Sequence, residues 1–235
     1  MQESIKKLLT YDRLYNIPKE EMERQRRAFE RKTAYEIEFE KRKPILLKSY
    51  ISKISVNDLL TKTFETYVCN FQNKIIFAKI KKWKPEDNYG LLLCGKPGIG
   101  KSHILKALIG SWASNHIEAR FSTLPTILDD LKANLDELEM CVTKYKNVQI
   151  LAIDDIGAEK TTEWSQDQLT QILDFRITRG KITFGSTNLS ESELENRYHH
   201  RIVDRLREQM VFVKMGGDTH RKIIQSENHK KWDSL

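Results

Sequence analysis

The chain has 235 residues, 39% of them apolar, and carries 40 Lys and Arg against 33 Asp and Glu for a formal net charge of +7. That length holds one full globular domain with a smaller appendage, and the basic excess favours an anionic partner, nucleic acid being the commonest. No apolar stretch is long enough to cross a bilayer and no signal peptide is read at the N-terminus, while Cys69, Cys94 and Cys141 are too far apart to imply a disulfide framework or a zinc site, so a cytoplasmic protein without membrane contact is expected.

Residues 1 to about 44 are densely charged and nearly free of glycine. Glu and Arg/Lys residues three or four apart between Pro18 and Pro44 support an exposed helix, readable as a solvated face or as a docking arm for a partner protein. The stretch FETYVCNFQNKIIFAKIKKW (64–83) reads as a helix leading into a Lys-rich turn. There Trp83 among Lys79, Lys81, Lys82 and Lys84 is either a half-buried ring in a solvated loop or a platform for a nucleic-acid base.

From Tyr89 short apolar runs alternate with amphipathic stretches. YGLLLC (89–94), EARFST (118–123), VQILAI (148–153), KITFGST (181–187) and MVFVKM (210–215) read as five strands. KSHILKALIGSWAS (101–114), LPTILDDLKANLDELE (124–139), QDQLTQILDFRITRG (166–180) and SESELENRYHHRIVDRLRE (190–208) read as helices. The last is opened by Ser190 with Glu193 three residues on, a capping-box spacing. The nearly all-apolar run 148–153 suits a central parallel strand covered on both faces. Strands alternating with helices predict an α/β domain on a parallel sheet.

Between the first of these strands and its helix stands GKPGIGKS: Gly95, Lys96, Pro97, Gly98, Ile99, Gly100, Lys101 and Ser102. This is the G-x-x-x-x-G-K-[ST] phosphate loop in the strand–loop–helix context that it requires. Its glycines let backbone N–H groups turn inward around phosphate oxygens, and the helix start adds its dipole. Lys101 reaches the β- and γ-phosphates of ATP, and the Ser102 hydroxyl is a ligand for Mg²⁺. Asp154 and Asp155 follow the apolar strand 148–153. Two adjacent carboxylates at a strand tip repel unless a cation is present. Asp154 is the candidate for Mg²⁺, and Asp155 for orienting or deprotonating the attacking water.

With these motifs in place, residues 89–222 resemble the AAA+ helicase loaders DnaC and DnaI and the related IstB transposition helpers. IDDIGAE (153–159), Trp164, ILDFRITRGKITFGSTNLS (172–190), RIVDRLRE (201–208) and DTHRK (218–222) carry the likeness. The resemblance implies a P-loop AAA+ αβα sandwich with a parallel five-stranded sheet and a small or absent C-terminal lid. It implies a short helical N-terminal region over 1–60, gripping a replicative DNA helicase, and an AAA+ ATPase domain over 61–235, gripping single-stranded DNA.

By the same resemblance Asn188 matches sensor 1. Arg205 best matches an arginine finger with Arg201 as its neighbouring candidate, and Arg221 matches sensor 2. A finger on that helix would enter the site of a neighbouring copy, so hydrolysis would need a homo-oligomer. Asp155 stands where many AAA+ proteins carry Glu, one methylene longer, which fits slow turnover dependent on assembly or DNA. Two further functions share this core: an IstB-like helper that binds duplex DNA, and a mobile-element antagonist that occupies a helicase without loading it.

Overall fold

The computed structural model describes residue 23, residues 51–52, 55–113, 117–219, 229–230 and 232. Most of the expected N-terminal helical region (1–60) and Arg221 lie outside the described residues, as does nearly all of the segment on which the lid expectation rests. The residues below belong to a compact unit spanning Ile45–Leu235.

In chain order the elements are strand β1 (Ile51–Ser52), helix α1 (Val56–Thr61), α2 (Lys74–Lys82), β2 (Gly90–Cys94), α3 (Lys101–Ala113), β3 (Ala119–Thr123), α4 (Leu124–Ala133), α5 (Leu138–Asn147), β4 (Ile150–Ile156), α6 (Glu163–Thr178), β5 (Ile182–Thr187), α7 (Glu191–Arg197), α8 (His200–Gln209) and β6 (Met210–Lys214). The sheet runs β1-β3-β4-β5-β2-β6 with every neighbouring pair parallel. The five expected strands form its body, and the two-residue β1 adds a sixth at the edge beside β3.

Side chains alternate across the sheet with period two, and each face buries its own cluster. Leu91 and Leu93 of β2 and Ile150 and Ala152 of β4 point toward α3, where Ile104, Leu105, Leu108 and Ile109 are buried. Leu92 of β2 and Leu151 and Ile153 of β4 point to the other face, against Leu128, Leu131, Leu169, Leu173 and Leu206. Each fully buried Leu or Ile stabilises the sandwich by about 1.5–3 kcal/mol.

Three expected helices are shorter or divided. The stretch 64–83 is helical only from Lys74, after a 3-10 turn at Phe71–Asn73 that the Asn70 side chain caps. Residues 124–139 break at Asn134, whose non-helical backbone (φ −128°, ψ 46°) and side-chain bond to the Asp130 carbonyl end α4. The helix from Ser190 stops at Arg197, because Tyr198 is extended and its ring turns inward to 5% exposure. The Ser190–Glu193 capping box forms as expected. Trp83 is not a surface platform: it is 6% exposed and packs on Trp112 and Phe184 with centroids 4.7 and 4.8 Å away.

Candidate functional site

In a parallel sheet all strand tips lie on one side, and here β5 separates β2 from β4. The phosphate loop leaves β2, Asn188 follows β5, and Asp154 and Asp155 stand in the last three residues of β4. Two strand spacings set the β2 and β4 tips about 10 Å apart.

The loop is held from several sides. The Gly95 N–H donates to the Thr187 carbonyl at 3.2 Å, which ties the loop entrance to β5. Gly100 has a φ of 96°, and a Cβ there would sit 2.5 Å from the Tyr67 ring. The Tyr67 hydroxyl donates to the Ile99 carbonyl at 3.2 Å. The Asn73 amide pairs with both the N–H (3.0 Å) and the carbonyl (2.9 Å) of Gly216, and Asn70 donates to the same carbonyl at 3.0 Å. The segment before α2 therefore braces both the loop and the turn after β6.

Lys101 is 5% exposed. Its Nζ donates to the Gly95 carbonyl (2.7 Å), the Lys96 carbonyl (3.0 Å) and Asn188 Oδ1 (2.7 Å). One ammonium thus spans the phosphate loop and the β5 tip. An ammonium at the mouth of a phosphate loop is a suitable counter-charge for phosphate oxygens.

Asp154 is 4% exposed, and the Ser186 hydroxyl donates to its Oδ1. The Asp155 N–H donates to the same Ser186 oxygen at 3.2 Å. Asp155 adopts a φ of 53°, a left-handed backbone that costs a non-glycine residue about 1 kcal/mol or more and recurs at functional sites. The turn swings Asp155 out of the strand register, where the β4–β5 pairing shifts between Ile153 and Ile156.

Beside the loop opens a cleft of about 700 Å³ lined by Cys94, Gly95, Lys96, Asn188, Glu191, Phe212 and Met215 to Gly217. Burial pushes the Cys94 thiol up to about 11, Glu191 adding to the rise and Lys101 opposing it, so this wall stays protonated at neutral pH. The residues fit Mg²⁺ and a nucleotide: the Ser102 hydroxyl and Asp154 carboxylate are hard oxygen donors, and the loop is a backbone cradle beside a basic side chain. No group of three or more His, Cys, Asp or Glu gathers among the described residues, so a metal here would draw its remaining ligands from phosphate oxygens and water.

The arginine candidates are elsewhere. Arg205 Nε bonds Asp174 of α6 at 2.6 Å and its Nη1 bonds Glu208 at 2.6 Å, while Arg201 reaches the other Asp174 oxygen at 2.5 Å. Glu208 and then Asp174 raise the Arg205 pKa. Neither arginine bonds the phosphate loop of its own chain. Arg207 pairs with Glu191 and Glu195 of α7.

Sequence reasoning passed over Tyr67, Asn70, Asn73 and Ser186. A clue was present in β5, where Ser186 and Thr187 sit in a strand that is buried throughout, since polar residues on a central strand need specific partners. The asparagines carried no such clue, because their partner Gly216 is more than 140 positions away.

Residues 51–228 match the family model described as IstB-like ATP binding protein. The chain belongs to that family. It is 31% identical over 170 residues to the replicative helicase loader DnaI of Bacillus subtilis strain 168, covering 68% of this chain and 53% of that one. It is 23% identical over 201 residues to the replicative helicase loader DnaC of Buchnera aphidicola from Schizaphis graminum, covering 80% of each. The chain spans about half the length of the first of these relatives, DnaI. A crystal structure of DnaI superposes with a TM-score of 0.63 at 22% identity, covering 76% of this chain and 98% of that one. The fold of this IstB-like protein is thus the α/β sandwich of AAA+ P-loop domains.

Proposed function

We propose that this chain is an ATP-dependent DNA replication factor that binds Mg·ATP and single-stranded DNA, assembles with copies of itself and loads a replicative DNA helicase. The observation that carries this reading is the lateral order of three strand tips, with Lys101 bonded to Asn188 between the phosphate loop and the two aspartates. Kinship with proteins named helicase loaders supports the partner, and the net charge of +7 supports a nucleic acid.

In this reading residues 95–102 hold the phosphates through backbone N–H groups, and Lys101 turns from Asn188 and the loop carbonyls to the β- and γ-phosphate oxygens. Mg²⁺, held by Ser102 and Asp154, would neutralise charge that develops on those oxygens. Asp155, swung clear of the strand, orients the attacking water and accepts its proton, while Asn188 fixes that water's position. Arg205 leaves Asp174 and completes the site of a neighbouring copy, so turnover depends on assembly. Arg221 acts as the sensor 2 arginine. Residues 1–60 grip the helicase, residues 61–235 form the ATPase domain, and the protein works in the cytoplasm.

The test is a titration of the full chain with a fluorescent ATP analogue and Mg²⁺, followed by capture of the host's replicative helicase with and without ATP. Capture that ATP modulates supports loading. A chain that binds Mg·ATP yet never retains the helicase refutes it. The match of residues 51–228 to an IstB-like family favours a second reading, a transposition helper. Preference for duplex over single-stranded DNA would select that reading, and ATP binding without turnover even with DNA would select a helicase-occupying antagonist.

A further inference from the structure

The residues just past the two aspartates are tied to the segment leading into α8 at almost every step. The Thr187 hydroxyl donates to the Ile156 carbonyl at 2.7 Å and accepts from the Leu189 N–H at 3.1 Å. Gly157 has a φ of 95°, and a Cβ there would meet Leu189 Cδ1 at 2.5 Å, so Leu189 packs directly on this turn. Glu159 is 6% exposed. One of its carboxylate oxygens accepts from the Gly157 N–H at 3.0 Å and the other from the Tyr198 hydroxyl at 2.5 Å. Its carbonyl accepts from the Arg197 guanidinium. Burial, and then the Glu159 charge, push the Tyr198 hydroxyl above its usual range, so it is a neutral donor at every working pH.

A buried carboxylate is costly unless its oxygens are bonded, and an apolar residue would fill a loop core at lower cost. Here the two oxygens join the loop 155–159 to the end of α7. Tyr198 is two residues before the start of α8, which bears Arg201 and Arg205. Other anchors of α8 go to α6, where the His199 N–H donates to Gln166 Oε1 at 2.7 Å and Asp174 holds both arginines, to α7, where Glu191 and Glu195 hold Arg207, and to the Lys181 carbonyl, which accepts from Gln209. Helix α8 is thus fixed to the scaffold at α6 and α7 and joined to the aspartate loop through Glu159.

We propose that Glu159 is a positioning residue that makes the aspartate loop and helix α8 move together, so that the state of a subunit's own nucleotide site is passed to the arginines it offers its neighbour. This rests on the reading of Arg205 as a finger acting between subunits. Loss of the link leaves the α6 anchors in place, so the protein stays folded while its two ends respond independently.

The experiment compares full-length Glu159→Ala, Glu159→Gln and Tyr198→Phe. The glutamine variant keeps an acceptor and holds near wild-type turnover. The alanine and phenylalanine variants bind Mg·ATP with unchanged affinity and KM, and kcat falls by about a hundredfold in the alanine variant, the scale of an ångström-level misplacement. Asp155→Asn subunits, which hold Mg·ATP without turning it over, are then mixed as arginine donors with Arg205→Ala subunits as nucleotide holders. Adding Glu159→Ala to the donor alone abolishes the recovered activity. Recovery that survives in that mixture, but is lost when the change is in the holder, overturns the proposal.

If the two single variants never complement, the inter-subunit reading itself fails, and hydrogen exchange then decides on the link. Mg·ATP slows amide exchange at both 95–102 and 200–209 in the wild type, and only at 95–102 in Glu159→Ala. Equal responses at 200–209 in the two proteins, or none in the wild type, overturn the proposal.

Discussion

Replacing Arg176 with methionine should lower folding stability by about 3–5 kcal/mol while leaving the nucleotide site in place. Arg176 is fully buried on α6 at the end of the sheet opposite the site. Its guanidinium donates to the carbonyls of Tyr145 (2.9 Å), Lys146 (3.2 Å), Val148 (2.8 Å), Gln149 (3.4 Å) and Ile182 (2.6 Å), and its Nε donates to the Thr183 hydroxyl at 2.8 Å. These acceptors are the end of α5, the approach to β4 and the start of β5. A single planar fork thereby joins three backbone segments.

Removing it orphans the Tyr145, Val148 and Ile182 carbonyls and the Thr183 hydroxyl, at about 1–3 kcal/mol each, roughly 4–12 kcal/mol in all. Against this stands the cost of the buried charge. Burial pushes the guanidinium pKa down to about 9, so it remains protonated at neutral pH, and methionine returns several kcal/mol of that cost. The difference leaves the net loss given above. The assay is urea unfolding followed by tryptophan fluorescence, since Trp83 and Trp112 report from the core. With a slope of about 2–3 kcal/mol per molar urea, the midpoint should fall by about 1–2 M. A loss below about 1 kcal/mol, or an Arg176→Lys variant as stable as wild type, would refute the argument, because an ammonium cannot span the same acceptors.

Lys101→Ala should abolish Mg·ATP binding, seen as loss of the rise in Tm that ATP gives the wild type. Asp155→Asn should keep that rise and lower the rate of phosphate release by a hundredfold or more. Arg205→Ala should leave ATP binding and unfolding nearly unchanged and cut hydrolysis by about a thousandfold, with partial recovery on mixing with Asp155→Asn, which keeps its nucleotide. No recovery in the mixture would refute action between subunits. Asp58→Asn should cost less than about 1 kcal/mol, because the bond from Lys106 at 3.0 Å is partly exposed. That bond, ahead of the opposing burial, lowers the Asp58 pKa from its usual 3.8. Its contribution is therefore complete above the unfolded value and vanishes as pH falls through the lower folded value, so wild type and variant should converge in acid.

The phosphate loop was legible from sequence because its chemistry is local: Gly95 to Ser102 stand in one run between an apolar strand and a helix, and each residue type answers a need of the same bound group. The five main strands were legible for a similar reason, since burial on both faces demands unbroken apolar runs such as 150–153. The breaks at Asn134 and Tyr198 were not legible. A side-chain cap and an inward-turned ring depend on neighbours that a helical periodicity does not reveal. Trp83 among lysines read as a half-buried ring or a base platform, and its full burial came from Trp112 and Phe184 on other elements.

By itself, then, the amino-acid order determined the alternating α/β layout, the phosphate loop and the acidic pair, because each is encoded within a few consecutive residues. Only the tertiary structure decided that β5 lies between β2 and β4, which brings Asn188 to Lys101 and Ser186 to Asp154. It alone turned Arg205 toward Asp174, buried Arg176 on three backbone ends and joined Glu159 to Tyr198. The physical reason is that strand order and side-chain pairing are set by burying two apolar faces at once. That global condition brings together residues separated by dozens of positions, which no local pattern records.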